Sequence, residues 1–364
     1  MTAMLLLENG TCFEGVSIGV DGDRVGPVVL YTGVVGYQEV LTDPANAGKI
    51  VVFTYPLIGN YGIAGKFAES DRLWPAAAIL KADSRIASNF QAEDSFQNFL
   101  AAGKLVTLAG VDTRTLAVTV RDGGEMLGAV SADGQSKDQL AARIAQYAKA
   151  PLRDHIQAAS VKNVSEVAGG DGPAIAVLDL GMPNGFLAQL AALSCRVTRL
   201  PYDTPAKDIL AMKPDGLVVS SGPEDDQAIP DVVETIKGIL GKVPVLGVAA
   251  GHQVVAAAVG GTVSRMKLGH HGVNYPVVPP ESFKGHITVQ NHSFVVDEAS
   301  LSSAEQVRVT ERNLNDKTVE AMRSDALHLM STQYCPVGDG FGNPHEVVRD
   351  FVSIAATEKG DQHA

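Results

Sequence analysis

Basic residues are scarce in this 364-residue chain: 29 Lys and Arg stand against 41 Asp and Glu, a formal net charge of −12. A surface of that sign repels phosphate backbones and anionic lipid. Nucleic acid and membrane surfaces are therefore not expected as partners without a local basic patch, and the sequence has none. Long apolar runs are missing too. The longest, at residues 75–80, 244–250 and 254–259, fall far short of the ~18 residues a membrane helix needs. The opening MTAMLLLENG carries no basic n-region and its apolar run ends at Glu8, which argues against a secretory signal and for a cytoplasmic protein. Cysteine is limited to Cys12, Cys195 and Cys335, an odd and widely spaced set that reads as free thiols rather than a disulfide framework. No H-x-x-x-H or C-x-x-C spacing accompanies His252, His270, His271, His286 and His292, so no metal is expected and these read as structural histidines. A phosphate loop is absent as well: around Gly65-Lys66, Asn60 and Phe67 stand where the pattern needs Gly and Ser or Thr.

What is present is a globular composition, 45% hydrophobic, long enough for about two domains with cores of their own. Residues 1–120 read as short strands broken by glycine, at 4–7, 28–31, 50–55 and 104–108. A helix over 137–149 follows, with Leu140, Ile144 and Tyr147 at helical spacing. The weakly patterned stretch 151–173 reads as a connector, which gives a β-rich α/β domain over 1–150 and a second domain over 174–358. In the second domain strands at 174–180, 196–200, 216–220 and 244–248 alternate with helices at 186–193 and 231–240. Such alternation implies right-handed βαβ units and a doubly wound parallel sheet, whose ligand sites lie at the carboxyl ends of the strands, in the loops after Ser220 and Val248. The polar tail 358–364 is expected to fray.

The loop after Val248 is the most informative. GVAAGHQ at residues 247–253 has the form of a nucleophile elbow, G-x-nucleophile-x-G, in which glycines make room around a strained central residue. The central residue is Ala249. Taken alone, the five-residue pattern is more often that of an ordinary strand-to-helix turn.

Further motifs supply context: GYQEVLTDP at 36–44, TYPLIGN at 54–60, ASNF at 87–90, DTR at 112–114, SSGP at 220–223, MKLGHHG at 266–272 and QNHSF at 290–294. With the elbow, they make nearly the whole chain resemble the small subunit of carbamoyl phosphate synthetase, a class I glutamine amidotransferase. The resemblance implies a class I glutamine amidotransferase-like fold for the second domain, a large-subunit partner that carries the ATP and magnesium chemistry, and a place in arginine or pyrimidine biosynthesis. No cofactor is expected in this chain itself. It also implies a Cys at the elbow and a His and Glu from a late H-P-E motif. The matching positions here are Ala249, Cys335 and Val337, so the thioester-forming thiol, its base and the orienting carboxylate are all replaced.

Positions that hold glutamine in the family are altered as well, to Ala45, Glu224 and Ser293, while Gly222, Gln253, Asn291 and Phe294 match. Backbone donors near Gly222 and Ala250 would form the oxyanion hole. Six changed positions converging on one pocket read as natural decay of glutaminolysis. Three functions stay open. The chain is a non-catalytic partner of an ammonia-using large subunit, a repurposed scaffold or binding module in another assembly, or an enzyme with chemistry relocated to Cys335 and His252 or His345 as its base.

Overall fold

Strands too short to bury both faces alone close on one another in the first unit. In the computed structural model, which describes residues 3–150, 153–282, 284–303, 306–340 and 342–361, that unit holds residues 3–150 and 267–272, and a second holds the other described residues. Seven strands form a closed barrel in the order Ala3–Leu7, Cys12–Ser17, Val106–Ala109, Ala77–Ile79, Ile50–Phe53, Asp23–Tyr31 and Leu127–Ser131. Inward residues such as Leu5, Val28, Ile50, Ile79, Val106 and Val130 fill it to near-complete burial. Closure removes the exposed edges that strands of this length would otherwise present.

Helix Lys137–Lys149 matches its sequence reading. Ser136 and Gln139 form a reciprocal capping box at its start, and Leu140 and Ile144 pack on Leu6 and Ala129. The six residues 267–272 form a strap on this unit. Gly269 N–H donates to Glu125 Oε1 at 2.7 Å and Thr32 N–H to His271 O at 3.0 Å. The His271 ring nitrogen lies 3.1 Å from the same Glu125 oxygen. The boundary expected at residue 150 did not anticipate this return.

The second unit is built on a ten-stranded mixed sheet. Its middle is parallel: Arg196–Pro201, Ala174–Asp179, Gly216–Val219, Val245–Val248 and Leu329–Thr332 lie side by side. Alternate residues face opposite layers. Ala176, Leu178, Leu217 and Val219 pack against Val232, Ile236, Val254 and Val255 of the helices Ile229–Lys237 and Ala250–Ala258. Ile175, Val177, Val218 and Leu246 pack against Phe186, Leu190, Val348 and Phe351 of Asn184–Ala192 and Glu346–Asp361. Helices on both faces make this half doubly wound.

Two expectations are corrected here. Pro151 and Leu152 lie outside the described residues, but 153–173 is no connector: it carries helix His155–Ala159 and the edge strand Ser165–Gly169, paired antiparallel with Arg196–Pro201. The tail read as frayed holds the end of helix Glu346–Asp361, with 362–364 outside the described residues. Beyond the parallel strands the sheet continues through Val319–Ser324, Arg308–Asn313, Val263–Val278 and His286–Val296, none of them foreseen. Val289 then pairs with Cys335 in an isolated bridge.

Candidate functional site

Strand Val245–Val248 is buried at all four residues, and helix Ala250–Ala258 leaves it through one residue, Ala249, held at φ 50° and ψ −109°. A Cβ makes that conformation cost on the order of 1–3 kcal/mol. The neighbours impose it: Ala249 N–H donates to Thr332 O at 2.8 Å, and Ala249 O accepts from His252 N–H at 2.9 Å and Gln253 N–H at 3.3 Å. The flanking glycines are steric requirements, since a Cβ on Gly251 would lie 2.0 Å from Val219 O and one on Gly247 would lie 2.7 Å from Gly251 O. The turn is a strained elbow, not an ordinary strand-to-helix connection. Its central side chain is a methyl group, which can neither attack a carbonyl nor carry a proton.

Parallel pairing of Val219 with Gly247 sets the loop after Gly216–Val219 beside the elbow. Gly222 lets that loop press on Leu180, whose carbonyl oxygen would lie 2.2 Å from an added Cβ. Ala250 opens the elbow helix, where N–H groups have no intrahelical acceptor.

Glu224, on the same loop, is drawn into a set of donors. Gln253 Nε2 donates to its Oε1 at 2.6 Å, Ser293 N–H to its Oε2 at 2.8 Å and Phe294 N–H to its Oε1 at 3.4 Å. Gln253 Nε2 also reaches Phe294 O and Gln333 Oε1, at 3.3 and 3.4 Å. Glu224, Gln253, Ser293 and Phe294 therefore meet in one hydrogen-bonded group. Asn291, half-buried, lies on the same strand, His286–Val296, as Ser293 and Phe294. Ala45 belongs to the first unit, buried on the turn Pro44–Asn46 with its N–H donating to Asp43 Oδ1 at 2.9 Å.

Cys335 is half-buried against the apolar cluster that contains Ala249, and its N–H donates to Val289 O at 2.9 Å. Val337 is 54% exposed. Of the two histidines considered as bases, His252 is fully buried with Nδ1 2.9 Å from Ser331 Oγ, and burial pushes its pKa down to about 3. Burial, followed by the neighbouring His286, also lowers His345, whose Nδ1 accepts from Val347 N–H at 3.3 Å. Both rings are poor proton acceptors.

Sequence reasoning missed a buried polar network beside these residues. Gln290 Nε2 donates to Glu320 Oε2 at 2.8 Å and Asn313 Nδ2 to Glu320 Oε1 at 2.9 Å, with His292 against Gln290. It sits on the antiparallel strands, where polar side chains broke up the apolar pattern.

Residues 5–130 match the family model for the carbamoyl-phosphate synthase small chain, CPSase domain, and residues 176–353 match that for class-I glutamine amidotransferase. The carbamoyl phosphate synthase small chain of Clostridium acetobutylicum is 37% identical over 93% of this chain and 95% of its own length. That of Oceanobacillus iheyensis is 38% identical over 98% and 97%. That of Listeria monocytogenes is 34% identical over 99% of both chains.

Proposed function

We propose, from the premise that this chain belongs to the carbamoyl-phosphate synthase small-chain family, that its own glutaminase is disabled and that it is the non-catalytic partner of a large chain running on free ammonia. The observation that carries this reading is Ala249: the elbow geometry is complete, and the atom that would form the thioester is absent. Cys335 and Val337 at the other triad positions support it, as does Glu224 among the donors on Ser293, Phe294 and Gln253. Relocated chemistry at Cys335 finds no support from His252 or His345, because burial depresses the basicity of both.

The partner is a carbamoyl phosphate synthetase large-subunit-like protein, which would supply the ATP and magnesium chemistry. Exposed apolar side chains on the first unit favour such an interface: Ile86 is 77% and Phe90 94% exposed, Phe90 within the ASNF motif. Several other motif residues have local duties instead. Tyr37 OH donates to Gly62 O at 2.6 Å, Gln38 exchanges two bonds with Ala64, and Asp112 caps helix Thr113–Gly123. Their presence is weaker support for a binding surface. Among the described residues no helix is long and apolar enough to cross a membrane, in keeping with the cytoplasmic location proposed.

Two experiments test the reading. Purified chain should release ammonia from glutamine no faster than a buffer blank. Ala249→Cys alone should not rescue it, and Ala249→Cys with Cys335→His and Val337→Glu should restore a trace at most; steady ammonia release by the unmodified chain refutes the central claim. Co-expressed with the large chain, the protein should elute as one heteromeric species burying well over ~1,000 Å² and make carbamoyl phosphate from ammonia but not from glutamine. Two separate peaks at micromolar concentration would favour a repurposed scaffold.

A further inference from the structure

Three donors from two separate elements converge on one side-chain carboxylate. Ser293 and Phe294 present consecutive backbone N–H groups from the strand His286–Val296, and Gln253 reaches in from the first turns of the elbow helix. Ser293 N–H takes one carboxylate oxygen at 2.8 Å, and the Gln253 amide, with a longer contact from Phe294 N–H, takes the other, so both oxygens are held. Nothing in this arrangement requires the carboxylate to be covalently part of the chain.

We infer that Glu224 is a built-in ligand: its side chain occupies a carboxylate-binding site made by Ser293 N–H, Phe294 N–H and Gln253 Nε2, and so closes that site to free carboxylate-bearing small molecules such as amino acids. This occupancy deepens the disabled-glutaminase reading by adding a steric barrier to the missing nucleophile, and it is tested separately from it. Restoring Ala249, Cys335 and Val337 to nucleophile, base and carboxylate would leave Glu224 still in place.

Acetate, the smallest probe with the right group, tests the inference on the full chain. Glu224→Gly and Glu224→Ala are each compared with the unchanged protein in thermal melts against sodium acetate and against sodium chloride of equal ionic strength. Both variants should gain a saturable upward shift in acetate over chloride, with a midpoint on the order of 10 mM. The unchanged chain should bind acetate ~10-fold more weakly or not at all. In the variants, acetate should also move the amide resonances of Ser293 and Phe294, a readout that needs no melting transition.

A variant that loses stability yet answers acetate no more than chloride would make Glu224 a simple tie between loop and strand and overturn the inference. So would an unchanged chain that binds acetate as well as its variants do. Ammonia release from glutamine would refute the reading in the preceding subsection without bearing on this one, because acetate has no amide to hydrolyse.

Discussion

Adding one carbon at Gly251 should be among the most costly single changes available in the second unit. Built on the existing backbone, the new Cβ falls 2.0 Å from Val219 O, 2.7 Å from Val219 C and 2.9 Å from Ser220 O. Every atom it meets belongs to the main chain, so no rotamer change relieves the overlap. The helix start must instead move about 1 Å from a fully buried strand, against packing by Val254 and Val255. Overpacking ordinarily costs ~1–3 kcal/mol; with an unyielding partner, Gly251→Ala should cost about 3–5 kcal/mol. At ~2–4 °C per kcal/mol for a unit of this size, the melting transition should drop by about 6–20 °C. Gly260, just past the end of the same helix, provides the control. It has φ +94° and nothing within 4 Å of an added Cβ, so Gly260→Ala should cost only the left-handed backbone term of ~1–2 kcal/mol. Urea titrations of both variants at one pH give the comparison. Equal losses would refute the close approach of the elbow helix to Val219.

Other outcomes follow from buried titratable and thiol groups. The folded pKa of His252 is about 3 against an ordinary 6.5, so below pH 6.5 the unfolded chain takes up a proton that the folded chain refuses. Stability should therefore fall as pH drops from 6.5 toward 3, by up to ~1.4 kcal/mol per pH unit, and His252→Asn should flatten that slope; parallel profiles for variant and unchanged chain would contradict it. Burial pushes the Cys195 thiol up to about 11, so at pH 8 a thiol reagent should modify at most the two half-buried cysteines, Cys12 and Cys335, until urea is added. Prompt labelling of all three would contradict that burial. Cys335→Ser, at a half-buried position, should cost under ~1 kcal/mol by calorimetry; a loss as large as that of Gly251→Ala would misplace the elbow.

The parts of this fold visible in the sequence are those where one element's chemistry is self-contained. The strand over residues 245–248 is apolar at every position because both its faces are covered, and Leu140, Ile144 and Tyr147 at helical spacing mark the helix Lys137–Lys149. Barrel closure was not visible, because it depends on which strand pairs with which. The strand Ser165–Gly169 was lost in an expected connector because it is an edge strand without a buried residue. In His286–Val296, buried Gln290 and Ser293 bond to Glu320 and Glu224, far along the chain, and a hydrophobic pattern passes over such a strand. Glu224 was legible as a departure from the family. Its three donors were not, since Ser293 and Phe294 act through their backbone.

The strap 267–272 gives the protein an order of assembly. A ribosome has delivered every barrel strand once residue 131 is made, yet the residues that engage Glu125 and Thr32 of that barrel are still more than a hundred codons away. During synthesis the first unit must wait, with the buried Glu125 carboxylate lacking its Gly269 and His271 contacts, while most of the parallel sheet is translated. A gene cut at residue 150 to express the barrel alone would make that waiting state permanent. A split placed after Gly272, by contrast, would leave the first unit whole and sever only the second.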